Sequence, residues 1–107
     1  MSDNPVVVTV RYQALSGQEE RTRIALEALI GTVLATEPDC FGIQLHVDAD
    51  DTSRLLLYES WRSRASYSGP HLQTPHLGAF MVAARELLAG PPTIEFWNRL
   101  DDRVQKP

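Results

Sequence analysis

The sequence predicts a single α+β domain whose strands and helices follow the order βαββαβ. Four segments have the alternating or β-branched patterns of strands, and two longer segments repeat apolar residues at the spacing of an amphipathic helix. A polar run at 48–53 joins the second and third strands directly, as a hairpin turn does. This order is typical of the ferredoxin-like fold, in which both helices cover one face of a four-stranded antiparallel sheet.

The composition is that of an ordinary globular domain. The chain has 107 residues, 43% hydrophobic and 22% charged, which suits one domain with a core at about 6–100 and a polar tail at 101–107. Its net charge is −4, and its basic residues are scattered, which argues against nucleic acid as a partner. No apolar run could cross a membrane, and the lone Cys40, expected to be a small buried hydrophobe, favours a reducing cytoplasm.

The first half of the chain supplies one strand and one helix. Residues 6–13 are rich in Val, which favours a half-buried strand. Ser16 is the predicted N-cap of the helix, with Glu19 completing a capping box, and Pro38 ends the helix by excluding helical geometry from the residue before it. The expected buried stripe is Leu26, Leu29, Ile30 and Val33.

The next two strands form a predicted antiparallel hairpin. At 41–47 apolar and polar residues alternate, so we expect one buried face and one exposed face, the latter carrying His46. At 55–61 both faces are apolar, which indicates a central strand. Leu56 and Tyr58 then lie on the face away from the helices. The buried residues expected from 41–47 are Phe41, Ile43, Leu45 and Val47.

The remaining third contains a short helical turn at 63–67, a longer helix and a strand at 93–100. The longer helix begins with Thr74 as its cap and Pro75 at its first position, and it stops at Gly90. Its expected buried stripe is Leu77, Phe80, Met81, Ala84, Leu87 and Leu88.

With both helices on one face, the other face of the sheet is left bare. An exposed apolar patch containing Leu56 and Tyr58 would be poorly tolerated by a monomer. We therefore expect a homodimer in which two copies of the chain meet sheet against sheet about a two-fold axis.

Several motifs resemble those of a known family. The most distinctive is HLQTPH at 71–76, accompanied by EPDC at 37–40, YESW at 58–61 and LLAGPP at 87–92. In these features, and over 6–100 as a whole, the sequence resembles the antibiotic biosynthesis monooxygenase family, including its quinol monooxygenase branch.

The resemblance implies a dimeric α/β barrel with a pocket between sheet and helices in each subunit. It also implies the oxygenation of quinols or polycyclic phenols, small aromatic substrates, by dioxygen. No metal, flavin or haem cofactor is expected, because the substrate itself supplies the electrons.

The resemblance assigns roles to particular residues. Trp61 matches the family's tryptophan at the end of the third strand, and Tyr67 matches an aromatic position that contacts substrate in some members. Both could equally be core aromatics. Phe80, Phe96 and Asn98 are further candidates for substrate binding.

Two histidines are candidate catalytic residues beside Trp61. His76 lies in the first turn of a predicted helix, where the helix dipole disfavours imidazolium, so a neutral ring could accept a phenolic proton. It could also simply bond to its own backbone. His71, five residues earlier, would lie roughly 140° away around an ideal helix, so the two rings should not share a face. With His46 expected in solvent, a zinc site lacks a third ligand.

Glu59 is an acidic residue on a strand expected to be buried on both faces. Such a carboxyl must be paired or protonated, and Arg11 and Arg85 are candidate partners. It could serve as a catalytic base or substrate contact, but a salt bridge that fixes the dimer is the favoured reading.

Departures from the family pattern leave other functions open. Leu57 stands where some phenol-oxidising members have Asn, and His71 follows Trp61 by ten residues rather than nine. Haem-degrading relatives need an Asn near the first strand, and only Asn4 is nearby.

A second enzyme function is suggested by FWNRL at 96–100. This string resembles the last strand of relatives that isomerise a phosphorylated signalling sugar, for which Arg11 or Arg99 could hold phosphate. A ligand-binding dimer without catalysis is the third alternative.

Overall fold

Four antiparallel strands form one sheet, and helices cover one of its faces. The structure, a computed structural model, describes residues 5–105. Its strands are β1 (Val6–Gln13), β2 (Cys40–Val47), β3 (Arg54–Trp61) and β4 (Thr93–Trp97). Its helices are α1 (Glu19–Thr36), α2 (Arg64–Ser68) and α3 (Pro75–Leu87), with a 3₁₀ turn, Pro70–Gln73, between α2 and α3. The strand order β2-β3-β1-β4 confirms the predicted ferredoxin-like fold.

The strand register decides which side chains meet the helices. Val8 of β1 is opposite Glu59 of β3 on one side and Phe96 of β4 on the other, and Ile43 of β2 is opposite Glu59. Because side chains alternate between faces, every second residue from this row shares its face. The buried members of that face in the two central strands are Val6, Val8, Val10, Tyr12, Leu55, Leu57, Glu59 and Trp61.

Helix α1 contributes the predicted stripe but begins later than predicted. Its N-cap is Gln18, with no side-chain cap bond, so the prediction of Ser16 as the cap is wrong. Gly17 has a positive φ of 86°, which turns the chain after Ser16 and delays the helix. The buried face consists of Thr22, Leu26, Leu29 and Val33, with Ile30 packed at its edge.

Strand β2 breaks its own alternation near its start. A register shift between Cys40 and Gly42 marks a bulge, which turns Phe41 outward, 56% exposed, beneath the guanidinium of Arg62. The prediction that Phe41 belongs to the core is therefore wrong. The same prediction for Val47 is also wrong, because this residue ends an edge strand and is 53% exposed. Cys40 is buried as expected, and burial raises the pKa of its thiol to about 11.

Helix α3 buries fewer of its apolar residues than predicted, and strand β4 ends earlier than predicted. Met81 is 47% exposed, against prediction, because the buried side of α3 runs through Phe80, Ala84 and Leu87 and Met81 lies on the outer side. Strand β4 ends at Trp97 rather than at residue 100. Trp97 is opposite Val7, the second residue of β1, so the residues after Trp97 have almost no strand left to pair with.

The sheet face away from the helices is more mixed than predicted. Leu56 and Tyr58 are half-buried on it, and Trp97 is 49% exposed. Polar pairs lie between these apolar side chains: Arg11 with Glu95 at 3.1 Å, Trp97 Nε1 donating to Thr9 Oγ1 at 2.8 Å, and Arg99 donating to the Tyr58 hydroxyl at 3.1 Å. We call this surface the open face. Separately, no helix within residues 5–105 has the length and apolar character needed to cross a membrane.

Candidate functional site

Two histidines converge on one carboxylate at the end of the helical layer. Glu37 is the C-cap of α1. His71 Nδ1, in the 3₁₀ turn, lies 3.0 Å from both Glu37 oxygens, and His76 Nε2, in the first turn of α3, lies 2.6 Å from Oε2. The expectation that the two rings would diverge is wrong, because the chain between them is not one continuous helix.

Thr74 makes the corner that brings the histidines together. Its hydroxyl donates to the His71 carbonyl at 2.8 Å and accepts from the Leu77 backbone N–H at 3.4 Å. Thr74 is therefore the predicted N-cap of α3 and also closes the preceding 3₁₀ turn. One side chain fixes the angle between the segments that carry His71 and His76.

The shared carboxylate dictates the hydrogen-bonding form of each ring. An ionised carboxylate only accepts, so His71 donates from Nδ1 and His76 donates from Nε2. In a neutral ring the other nitrogen is then an acceptor, which is Nε2 in His71 and Nδ1 in His76. The His71 side chain is 6% exposed and that of His76 is 17% exposed, so His71 is the inner member of the pair.

An aromatic cluster surrounds the inner histidine. Ring centroids are separated by 4.6 Å between His71 and Trp61, 4.9 Å between His71 and Tyr67, and 5.5 Å between Trp61 and Tyr67. Phe96 extends the cluster from β4, 5.6 Å from Tyr67, and is covered by the guanidinium of Arg64 at 4.1 Å. Trp61 and Tyr67 are both buried, and their packing against the His71 ring restricts how that ring can move.

Glu59 lies beside this cluster, on the helix side of the sheet. It is 4% exposed, and its Oε1 accepts from Trp61 Nε1 at 2.8 Å. Burial raises the pKa of the Glu59 carboxyl to about 7; the bond from Trp61 partly opposes the rise and the charge of Glu37 adds to it.

The expected partners of Glu59 lie elsewhere. Arg11 pairs with Glu95 on the open face, and Arg85 is exposed on α3. The prediction of an arginine partner is therefore wrong. A salt bridge from Glu59 across a sheet-to-sheet dimer does not fit either, because Glu59 faces the helices.

A small cavity lies between the sheet and the helices, beside these groups. Its polar lining consists of Tyr12, Glu59, Tyr67 and His71, and the rest is aliphatic, from α1, β2, β3 and α3. Its volume is about 20 Å³, enough for about one water molecule. Burial raises the pKa of both tyrosines well above the usual range, so their hydroxyls stay protonated and can donate hydrogen bonds.

Of the predicted site residues, only Glu59, Tyr67 and His71 line this cavity. Trp61, His76 and Phe96 lie around it. Phe80 packs edge-to-face on Tyr12 at 5.9 Å, behind the cavity wall. Asn98 follows β4 and lines a surface depression on the open face, together with Arg99. His46 is exposed on β2, as predicted.

The arrangement does not favour the phosphosugar alternative. Arg11 and Arg99, which could have held phosphate, lie on the open face, while the two histidines face the carboxylate of Glu37. Asn4, considered for haem degradation, lies outside the described residues. Within residues 5–105, no group of three or more His, Cys, Asp and Glu side chains could hold a metal ion.

Glu37 is the site residue that sequence reasoning missed. A signal was available, because an acidic residue at the C-terminal end of a helix is disfavoured by the helix dipole. Such a residue requires compensation by a donor elsewhere in the chain, and His71 and His76 could supply one. Pairing them required knowledge of the corner at Thr74.

Comparison with known proteins shows where similar chains occur. The model of the antibiotic biosynthesis monooxygenase family matches residues 5–83. A crystal structure of a Pseudomonas aeruginosa protein is 26% identical with a TM-score of 0.83, covering 94% of this chain and 99% of its own. The structure of a Mycobacterium tuberculosis protein is 28% identical with a TM-score of 0.81, and the match covers 94% of this chain and 100% of its own.

A third structure, a candidate antibiotic biosynthesis monooxygenase from Nitrosomonas europaea, shares the fold at 20% identity, with a TM-score of 0.83 and 94% of both chains covered. Among proteins with curated functions, none matches this chain.

Proposed function

The chain belongs to the antibiotic biosynthesis monooxygenase family, and on that premise we propose that it oxidises a quinol or polycyclic phenol with dioxygen, without a bound cofactor, in the cavity between sheet and helices. The observation that carries the proposal is His71. Glu37 accepts from Nδ1 of its ring, and the ring itself lines the cavity. Nε2 is thus left as an acceptor for a proton from a guest molecule.

Deprotonation of the phenol is the role proposed for His71. A proton moving from the phenolic oxygen to Nε2 creates an imidazolium, which the Glu37 carboxylate stabilises through the bond at Nδ1. His76, the base expected from sequence, is hydrogen-bonded to the same carboxylate but lies further out. We propose that His76 positions Glu37.

The reaction balances without an external reductant. The phenolate is electron-rich at a ring carbon that bears hydrogen, and that carbon bonds to dioxygen. Loss of the ring hydrogen and cleavage of the oxygen–oxygen bond then give a quinone and water. One phenol and one dioxygen are consumed, and all four electrons come from the substrate.

The apolar lining suits this chemistry. Tyr67, which packs on Trp61 at 5.5 Å, offers an aromatic surface against which a planar anion could stack, and the tyrosine hydroxyls could bind its oxygen. A cavity of about 20 Å³ must widen before a bicyclic phenol enters. The short α2 and the 3₁₀ turn carry Tyr67 and His71, so their displacement is the proposed route of entry.

A second copy of the chain is the proposed partner. The open face has Trp97 nearly half exposed and Leu56 and Tyr58 half-buried, with polar pairs between them. Two such faces meeting about a two-fold axis would bury these side chains in a homodimer.

The test is dioxygen uptake with a panel of quinols and polycyclic phenols, using His71→Gln and, as a matched control, His46→Gln. We expect uptake with the wild-type chain and with the control. The variant at residue 71 should lose about a hundredfold or more in kcat, as befits loss of a general base. Wild-type uptake no faster than in buffer across the panel would refute the activity. An unchanged rate in His71→Gln would refute the base assignment.

A further inference from the structure

Glu59 is a second titratable group in the cavity. The proposed deprotonation of the substrate uses His71 and gives Glu59 no role. Its carboxyl lies in the wall of the same cavity as His71. Its Cα partners in the neighbouring strands, Val8 and Ile43, are apolar. Only Trp61 hydrogen-bonds to it among residues 5–105, and the indole N–H occupies Oε1.

The surroundings of Glu59 favour the protonated carboxyl. Within the described residues no Lys or Arg pairs with it. The titratable groups around it are Tyr12 from β1, Cys40 from β2, Tyr67 from α2, His71 from the 3₁₀ turn and Glu37 from the end of α1. Of these, Glu37 acts on Glu59 through its charge, which opposes ionisation of the Glu59 carboxyl.

We propose that Glu59 is a second catalytic residue of this cavity, which gives a proton to the peroxide formed from dioxygen and takes one back from the oxygenated carbon. The assignment rests on the proposed monooxygenase function. It divides the work between two groups, since His71 already holds the phenolic proton when dioxygen reacts.

The two groups together complete the reaction. Carbon–oxygen bond formation leaves a negative terminal oxygen, which takes the proton of Glu59. The resulting Glu59 carboxylate removes the hydrogen of the oxygenated carbon as a proton, and that electron pair forms the carbonyl. The oxygen–oxygen bond breaks, and departing hydroxide takes the proton of His71 to become water. Both residues return to their starting states, and the sum is phenol plus dioxygen to quinone plus water.

A purely structural role predicts a different result. If Glu59 only anchors the indole of Trp61, Gln should replace it, because the amide oxygen can accept the same bond from Nε1. Glu59→Gln keeps the shape and the acceptor but cannot exchange a proton. The variant therefore separates proton transfer from positioning.

The experiment compares wild type and Glu59→Gln in two measurements. Infrared difference spectra should contain a protonated-carboxyl stretch at pH 6 in the wild type that disappears by about pH 8 and is missing in the variant. Steady-state kinetics should show kcat lowered about a hundredfold in the variant, with KM within about twofold. The fall of wild-type kcat as pH rises through about 7 should vanish in the variant.

Each outcome has a defined meaning. A missing carboxyl band at pH 6, or a variant with wild-type kcat and pH profile, overturns the assignment of Glu59 alone. A wild-type chain that takes up no dioxygen overturns the proposed function and this step with it. If the Gln variant does not fold, Glu59→Asp replaces it. The Asp variant should retain a pH-dependent kcat at reduced rate, and a pH-independent rate would overturn the inference.

Discussion

At the scale of single residues, the site is a set of buried polar groups that are unfavourable alone. The Glu37 carboxylate lies at the negative end of α1 and is largely buried, with its side chain 12% exposed. Two imidazole donors offset that cost. His71 in turn depends on Glu37, because a buried ring needs a partner for its N–H. Glu37, His71 and His76 therefore depend on one another for their hydrogen bonds.

The raised pKa of Glu59 makes the stability of the protein depend on pH. The folded carboxyl keeps its proton up to about pH 7, whereas the unfolded chain loses it near the ordinary value of 4.5. The folded state thus binds more protons between these values, so its free energy of unfolding falls as pH rises through that window and levels off above it. The expected loss is about 3 kcal/mol.

Urea unfolding of wild type and Glu59→Gln at pH 5 and pH 8 measures this effect. The wild type should lose more free energy of unfolding than the variant between the two pH values. A wild type and variant with the same pH dependence would show that Glu59 is ionised in the folded protein.

Sequence patterns predicted part of the candidate site residue by residue. Trp61, Tyr67, His71 and Glu59 all lie in or beside the cavity. The relative positions of the histidines were not predictable, because they depend on a backbone corner rather than on helical periodicity. The partner of Glu59 was also missed, since strand alternation tells which face a residue occupies but not which donor it meets.

At the scale of elements, the corner between the 3₁₀ turn and α3 sets the site geometry. Thr74→Ala should lower the free energy of unfolding by about 1 kcal/mol, the usual cost of a lost N-cap, and it also removes the bond to the His71 carbonyl. Thr74→Ser keeps the hydroxyl and should restore most of the loss. Chemical unfolding of both variants measures this, and equal losses in Ala and Ser variants would contradict a capping role.

Elements were predicted better than their ends. The helical stripe of α1 and the central position of β3 follow from periodicity, and both are confirmed. The bulge at Cys40 and the end of β4 at Trp97 depend on pairing with neighbouring strands. A single segment of sequence does not contain that information, which is why Phe41 was misplaced.

At the scale of the whole molecule, the smallest dimension is 22 Å, the thickness of one sheet and one layer of helices. If the open face is a dimer interface, a charge placed there should dissociate the dimer. Leu56→Lys and Tyr58→Lys should each halve the mass measured by light scattering at micromolar concentration. Val82→Lys, on the exposed outer side of α3, is the matched control and should leave the mass unchanged. Variants with the wild-type mass would contradict this interface.

The central claim is that the chain oxidises a phenol with dioxygen in this cavity, using only its own proton-transfer groups. Its most direct measurement is dioxygen uptake by the chelator-treated wild-type chain together with the amount of quinone formed. The account predicts one dioxygen consumed for each quinone produced, and loss of that uptake in His71→Gln but not in His46→Gln. Uptake that requires an added metal or reductant, or no uptake above buffer, would contradict it.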